Sequence, residues 1–175
     1  MSAKSHRLNR KIHFWGAIIC ALPVLIMIGS GVLLLLKKES DWIQPPTIKG
    51  NKGEPTLAYV DILAKAQAEP LLEVESWQDI KRLDVRPSKG VIKLQSRNGY
   101  EMQLDQQSGE VLHIDFRRSD VIEAIHDGSF FHDAAKLGLF LPASIILFAL
   151  WVTGMYLFII TLQARARKRR RIGKQ

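Results

Sequence analysis

Two long apolar runs constrain this chain more than any other feature. Phe14 to Leu36 and Leu137 to Leu162 hold 23 and 26 residues, and neither contains Asp, Glu, Lys or Arg. A helix rises about 1.5 Å per residue, so each run can cross a hydrocarbon core about 30 Å thick. Backbone amides in lipid must be bonded within the chain, which leaves helix as the expected state of both. The sequence therefore predicts two transmembrane helices rather than two buried helices of a soluble protein.

The first run also has the basic flank of a signal peptide, since Lys4, Arg7, Arg10 and Lys11 precede it. A signal peptide, however, has an apolar region of only about 7–15 residues, followed by a cleavage site between small residues. This run is longer and passes into the charged residue Lys37 without such a site. We therefore expect an uncleaved membrane anchor.

The formal net charge of +8 is divided unevenly along the chain. Residues 1–13 contribute +4 and residues 164–175 contribute +7, so the part between them carries −3. Short basic flanks stay on the cytoplasmic side, which predicts that both termini are cytoplasmic and that the middle of the chain is extracytoplasmic. The basic run after the second helix is explained by this topology and by anionic lipid. We expect the lipid bilayer as a partner, and no nucleic acid.

The middle of the chain shows the pattern of a small α+β domain. Residues 54–70 have apolar residues close to helical spacing, and Pro70 ends the pattern. Apolar and polar residues then alternate in four short segments up to Phe116, separated by turn sequences such as Asn98-Gly99. Asn-Gly between alternating segments is the strongest short hairpin signal. We expect one helix packed on an antiparallel meander of three or four strands.

These predictions divide the chain into consecutive segments. They are a basic N-terminus at 1–13, transmembrane helices at 14–36 and 137–162, a linker at 37–53, the α+β domain at 54–118, a juxtamembrane helix at 119–136 and a basic tail at 163–175.

The middle segment resembles the PepSY domain. The resemblance rests on the helix, a helical turn around Trp77, and a last hairpin in which Asp105 to Val111 reads as an Asp-x-x-x-Gly-x-Val turn. The flanks resemble the PepSY-associated transmembrane family, in three short motifs at the two apolar runs. These are His13-Phe14-Trp15-Gly16, His126-Asp127-Gly128 and Thr153-Gly154. Many members of that family carry four or more membrane helices, whereas this chain has two apolar runs.

The resemblance implies a cofactor and its ligands. Family members that reduce ferric siderophores are thought to hold b-type haem between histidines of several helices. By that likeness the candidate ligands of a haem iron are His13, at the cytoplasmic boundary, and His126, with His132 as the second choice on the outer side. Other interpretations stay open, because His13 also suits an interfacial belt and both outer histidines suit a solvated surface.

A distance argument limits any haem site. The first apolar run rises about 34 Å as a helix, whereas two imidazoles on one metal each bind at about 2.0–2.1 Å. His13 and His126 therefore cannot share one iron, and a bis-histidine haem would need a second copy or another subunit. Small residues such as Gly29, Ser30 and Gly31 in the first helix favour close helix packing, so we expect a homo-oligomer or a membrane-subunit partner.

Two functions follow from these observations. The first is a haem-binding electron-transfer subunit, similar to the ferric-reductase branch. The second is a non-enzymatic membrane-anchored PepSY module that binds a partner protein or modulates a protease. No common catalytic motif occurs, and the lone Cys20 excludes an internal disulfide. We expect His6, His113 and the acidic side chains of the outer domain, among them Asp120, to be solvated.

Overall fold

The computed structural model describes the backbone of residues 3–172 and the side chains of 14–15, 18–152, 154–156 and 158–163. The chain divides into two compact units, one formed by 1–30 with 124–175 and the other by 31–123. Two helices are long and apolar enough to span a bilayer, with candidate spans at Ile18–Leu35 and Asp133–Gln163. Most apolar side chains described on these spans are exposed within the chain, which suits contact with lipid.

The first unit is mainly helical. Helix α1 runs over Ala3–Leu35 and contains Pro23. A short helix, α4, covers Asp133–Ala135, a π-helical turn follows at Lys136–Phe140, and α5 runs over Leu141–Ile172. The wide turn comes just before Pro142. Proline has no amide hydrogen to donate to the carbonyl four residues earlier, and its ring would clash with that carbonyl in a regular α-helix.

The expected juxtamembrane helix at 119–136 is not continuous. Helix α3 covers Arg118–Asp127 and then stops, because Gly128 takes a left-handed conformation with φ of 84°. Glycine is the usual residue for such a helix end, since it has no Cβ to oppose a positive φ. The chain turns there before α4 begins. Residues 128–132 therefore form a connection inside the segment that was predicted to be one helix.

The second unit contains a four-stranded antiparallel sheet in the order β1-β2-β3-β4, as the alternation predicted. The strands are β1 at Ile80–Arg86, β2 at Val91–Ser96, β3 at Tyr100–Asp105 and β4 at Val111–Phe116. Helix α2, at Tyr59–Gln67, covers one face. The core between them consists of Ile62, Ala66, Leu72, Val74, Ile92, Leu94, Met102 and Leu104.

Helix α2 is shorter than the predicted segment of 54–70. The backbone N–H groups of Thr56 and Leu57 both donate to the carbonyl of Gln106, which ties the preceding chain to the sheet instead of to a helical turn. Asp61 in the first turn and Lys65 in the last suit the helix dipole. The helix ends before Pro70, because a residue that precedes proline disfavours the α conformation.

Candidate functional site

The side chain of His126 connects the end of α3 to α1. It lies in the last turn of α3, and its Nδ1 is 3.0 Å from the Oγ atom of Ser30 in α1. Ser30 itself is buried, with 7% of its surface exposed. The contact joins residues 96 positions apart, so it fixes the ring of His126 against the C-terminal part of α1.

The partners of Ser30 determine which nitrogen of His126 carries the proton. The Ser30 hydroxyl has one hydrogen and lies 2.5 Å from the carbonyl oxygen of Ile26, to which it donates. Its oxygen is then the acceptor for Nδ1–H of His126. In the neutral ring this leaves a lone pair on Nε2, which has no hydrogen-bond partner among the described residues. Histidines that bind metals are commonly oriented in this way, through a hydrogen bond from the other ring nitrogen.

A cavity of about 260 Å³ adjoins His126. Apolar side chains supply most of its wall, including Met27 from α1 and Phe140 from the π-helical turn. Ser144 also lines it, with its Oγ donating to the carbonyl of Phe140 at 2.8 Å and lying 3.1 Å from Sδ of Met27. π-Helical turns frequently occur at functional sites, because the wider backbone redirects side chains. The imidazole therefore borders an apolar space.

An ion pair lies on the same cavity. The Asp127 carboxylate is 2.5 Å from Nζ of Lys136 and also accepts hydrogen bonds from the N–H and hydroxyl of Ser129. The Lys136 ammonium, followed by the Ser129 groups, lowers the pKa of Asp127 to about 2. Asp127 is thus charged at neutral pH, and its bonds hold the turn that follows His126.

His132 has a different role from His126. It precedes α4, and its Nδ1 accepts a hydrogen bond of 3.0 Å from the N–H of Ala134. In a neutral ring with Nδ1 as acceptor, Nε2 carries the proton and offers no lone pair. His132 would have to leave this cap before it bound a metal, so the geometry favours His126 of the two candidates that precede the second apolar run.

The other histidines add little to this site. The side chain of His13 lies outside the described residues, and its role as a ligand stays a prediction. The expectation for His113 was wrong, because its Nε2 is buried without a hydrogen-bond partner in the described part of the chain. Strand β4 pairs His113 with the buried Gln103, which explains why alternation alone misplaced it in solvent. No group of three His, Cys, Asp or Glu side chains that could hold a metal occurs among the described residues.

The sheet also carries a buried ionic network that the sequence did not reveal. Glu101 is 2% exposed; its Oε1 lies 2.8 Å from Nζ of Lys93, and its Oε2 lies 2.6 Å from Nη1 of Arg117. Arg117 also reaches Asp120 at 3.1 Å. Burial alone would raise the pKa of Asp120, but hydrogen bonds from Lys81, Gln95 and Arg117 outweigh it and lower the pKa to about 2. Asp120 is therefore part of the network. The expectation that it would be a solvated acid was wrong.

The predicted linker covers this polar face. Gln103 Nε2 donates to the carbonyl of Pro46, and Gln103 Oε1 accepts from the N–H of Ile48. Further along, the N–H of Asn51 donates to Asp105. We call residues 43–51 the strap, because their backbone is bonded across the sheet. Ser119 N–H closes the other end by donating to the carbonyl of Ile43 at 2.7 Å.

The comparison with known families accounts for nearly the whole chain. The model of the family described as PepSY-associated TM region matches residues 10–175. The chain belongs to this family. No curated protein and no solved structure matches it. Membership, together with the two apolar helices, makes the chain a membrane protein, as the sequence motifs predicted.

The haem that the resemblance implies can be compared with the site around His126. With its lone pair on Nε2, His126 is the residue that would hold the haem iron. The cavity of about 260 Å³ is smaller than the roughly 300–1,000 Å³ of most cofactor sites. One chain therefore fits one side of a haem and does not enclose it.

Proposed function

We propose that the protein is a haem-binding electron-transfer subunit of a bacterial inner membrane, in which His126 would bind the haem iron and two or more chains would complete the site. In this proposal both termini are cytoplasmic and the sheet domain is periplasmic. The basic flanks of +4 and +7 support that orientation.

The observation that carries the proposal is the state of His126. An ionisable side chain at an apolar helix is costly unless it has a function or a partner. Here Nδ1 has its partner in Ser30, while Nε2 keeps a lone pair beside an apolar cavity. A bound haem would supply one-electron chemistry, and its potential depends on the axial ligand and on the hydrogen bond behind that ligand.

The surrounding residues would orient this ligand and limit the access of water. Ser30 holds the tautomer and the angle of the ring, and its own geometry is fixed by the Ile26 carbonyl. Phe140 and Met27 restrict water at the imidazole. Helix α3 ends just after His126, where Gly128 takes its left-handed conformation, and Asp127 is bonded in that turn to Ser129 and Lys136.

The length of α1 means that ligation by two histidines would need a second copy or another subunit. Residues 13–30 lie in the one helix α1, so the backbone rises about 26 Å between His13 and Ser30. His126 is hydrogen-bonded to Ser30, and a single iron cannot bridge that separation. We therefore propose that a second histidine for each haem would come from a symmetry-related chain or from another membrane subunit.

The direct test is a reduced-minus-oxidised spectrum of the full chain purified in detergent from haem-replete cells. We expect a b-type haem signal that is lost in His126→Ala and kept in His132→Ala, which serves as the matched control. Size-exclusion chromatography with light scattering should show more than one chain per haem-bound particle. A colourless but folded wild-type protein would rule the proposal out.

The orientation has its own test. A periplasm-dependent reporter inserted at the exposed Ser88 turn should be active, whereas the same reporter fused after Gln175 should be inactive. The reverse pattern would place the sheet domain in the cytoplasm and contradict the proposed topology.

A second function is favoured by a surface of the sheet domain. Tyr59 and Val60 in α2 are 68% and 70% exposed, and the Tyr59 ring contacts that of Trp77, itself 42% exposed. Exposed aromatic groups of this kind are common where proteins bind each other. The alternative is a membrane-anchored module that binds a partner protein through this surface. It predicts a colourless protein whose crosslinks in membranes disappear in Tyr59→Ser/Trp77→Ser and persist in His126→Ala.

A further inference from the structure

The sheet domain contains a cavity of about 420 Å³ that is separate from the His126 site. It lies where the polar face of β1 and β2 meets the start of α3 and the residues just after α1. Its charged lining consists of Lys37, Lys81, Arg82, Arg117, Asp120 and Glu123. Four cations face two carboxylates, so the lining carries an excess charge of +2.

The carboxylates are already engaged. Asp120 accepts from Lys81 at 2.8 Å and from Arg117 at 3.1 Å. Glu123 is 3.1 Å from Nζ of Lys37. Arg82, by contrast, has neither an ion pair nor a hydrogen bond within the described residues, although it lines the cavity. Arg82 therefore carries one of the two excess charges, and the other is shared by Lys81 and Arg117, which both pair with Asp120.

A second, independent group in the cavity lacks a partner. Gln95 lines the space, is 3% exposed, and donates through Nε2 to Asp120. Its Oε1 is buried with no hydrogen-bond donor among the described residues. Buried acceptors of this kind are normally paired, by protein or by a bound molecule. A ligand that carries both anionic oxygens and a hydroxyl group would satisfy Arg82 and Gln95 together.

We propose that this cavity binds a phosphate group, with Arg82 as its main ligand and Lys37 as its second. Guanidinium groups match phosphate oxygens with two parallel hydrogen bonds, which is the strongest common recognition of this anion. The pair of Lys37 with Glu123 is exposed at 36% and 51%, and exposed pairs contribute little. Lys37 can therefore turn to a phosphate at small cost.

The phosphate has two possible sources with the same chemistry. Lys37 follows the last residue of α1 by two positions, which suits the headgroup of an anionic phospholipid such as phosphatidylglycerol. A soluble phosphate or phosphate ester would use the same ligands. The inference does not depend on haem, so it is also testable in the His126→Ala protein.

The experiment uses the full chain in phosphate-free detergent. Binding of inorganic phosphate is measured by calorimetry, and retention of phosphatidylglycerol over phosphatidylcholine is measured by native mass spectrometry. We expect Arg82→Gln to weaken one of the two at least tenfold, which corresponds to about 1.4 kcal/mol. Lys65→Gln, an exposed change in α2 away from the cavity, should leave both unchanged.

Each outcome decides the proposal. Loss of phosphate binding alone in Arg82→Gln identifies a soluble phosphate compound, and loss of phosphatidylglycerol retention alone identifies a lipid headgroup. Arg82 lies on an exposed strand edge without a described partner, so its replacement should not unfold the domain, and circular dichroism checks this. Absence of both kinds of binding in the wild type, or equal binding in Arg82→Gln, would overturn the inference.

Discussion

Replacing Glu101 by glutamine is the sharpest test of the buried network on the sheet. The change keeps the size of the side chain but removes the negative charge that faces Lys93 and Arg117. Lys93 is 3% exposed; burial lowers its pKa, and the hydrogen bond and charge of Glu101 act in the opposite direction. Without Glu101, the cost of burying the Lys93 charge has no compensation. Arg117 retains only its contact with Asp120.

The expected magnitude is large. Breaking a buried ion pair by removing one partner typically costs about 3–5 kcal/mol. A whole domain is stable by only about 5–15 kcal/mol, so Glu101→Gln should remove a substantial fraction of the stability of the sheet domain. The matched control is Glu110→Gln, an exposed acid on the loop before β4, which should change stability by less than about 0.5 kcal/mol.

Hydrogen exchange of the detergent-solubilised full chain gives the measurement, because β2 and β3 peptides report the opening free energy of the sheet itself. The double variant Lys93→Met/Glu101→Gln should recover part of the loss, since no unpaired lysine remains in it. If Glu101→Gln exchanges like the Glu110→Gln control, the network does not support the fold and our reasoning fails.

Three further predictions concern other parts of the chain. Gln103→Leu should speed amide exchange at Ile48 by tenfold or more, because Ile48 N–H and the Pro46 carbonyl both lose their partner, whereas Gln107→Leu at the adjacent turn should not. Gly128→Ala should destabilise the connection after α3 by more than about 1 kcal/mol, because φ is 84° and a Cβ would collide with the Phe140 ring. Hydrogen exchange in peptides of 124–140 measures this loss of stability. The control is Gly138→Ala, where a Cβ meets nothing within 4 Å. The lowered pKa of Asp120 stabilises the folded protein fully above the usual pKa of 3.8, and this stabilisation is lost as pH falls towards about 2. Across that pH window the free energy of unfolding of the wild type should therefore fall by about 2 kcal/mol more than that of Asp120→Asn.

The strands and turns could be predicted because their signals are local. Alternation along β2 and β3 specifies an apolar face, and Asn98-Gly99 specifies the turn between them, where Gly99 has a φ of 94°. These features depend only on neighbours in sequence. The antiparallel order of four strands was confirmed for the same reason, since short turns leave consecutive strands side by side.

The strap could not be predicted, because the residues of the sheet that it covers have the polar side chains expected of a face exposed to solvent. Lys93, Gln95, Glu101 and Gln103 are polar residues at every second place, which is also the pattern of an open sheet face. In the structure all four are buried under residues 43–51 and the start of α3. The groups of a buried polar face normally need partners. Gln103 finds its partners in backbone atoms of the strap, which leave no mark on side-chain composition. Lys93 and Glu101 instead pair with each other, and Gln95 donates to Asp120.

The two histidines that precede the second apolar run could not be distinguished from the sequence either. His126 and His132 are six residues apart, and their residue type and position near the second apolar run gave no basis in chemistry for choosing between them. The distinction follows from single hydrogen bonds. Ser30 Oγ accepts from Nδ1–H of His126, which leaves the lone pair on Nε2, whereas Ala134 N–H donates to Nδ1 of His132, which leaves the hydrogen on its Nε2. Ser30 Oγ is the acceptor because its own hydroxyl hydrogen is donated to the carbonyl of Ile26. Replacing Ser30 by alanine should therefore release the tautomer of His126, and with haem bound it should shift the reduction potential while His132→Ala leaves it unchanged.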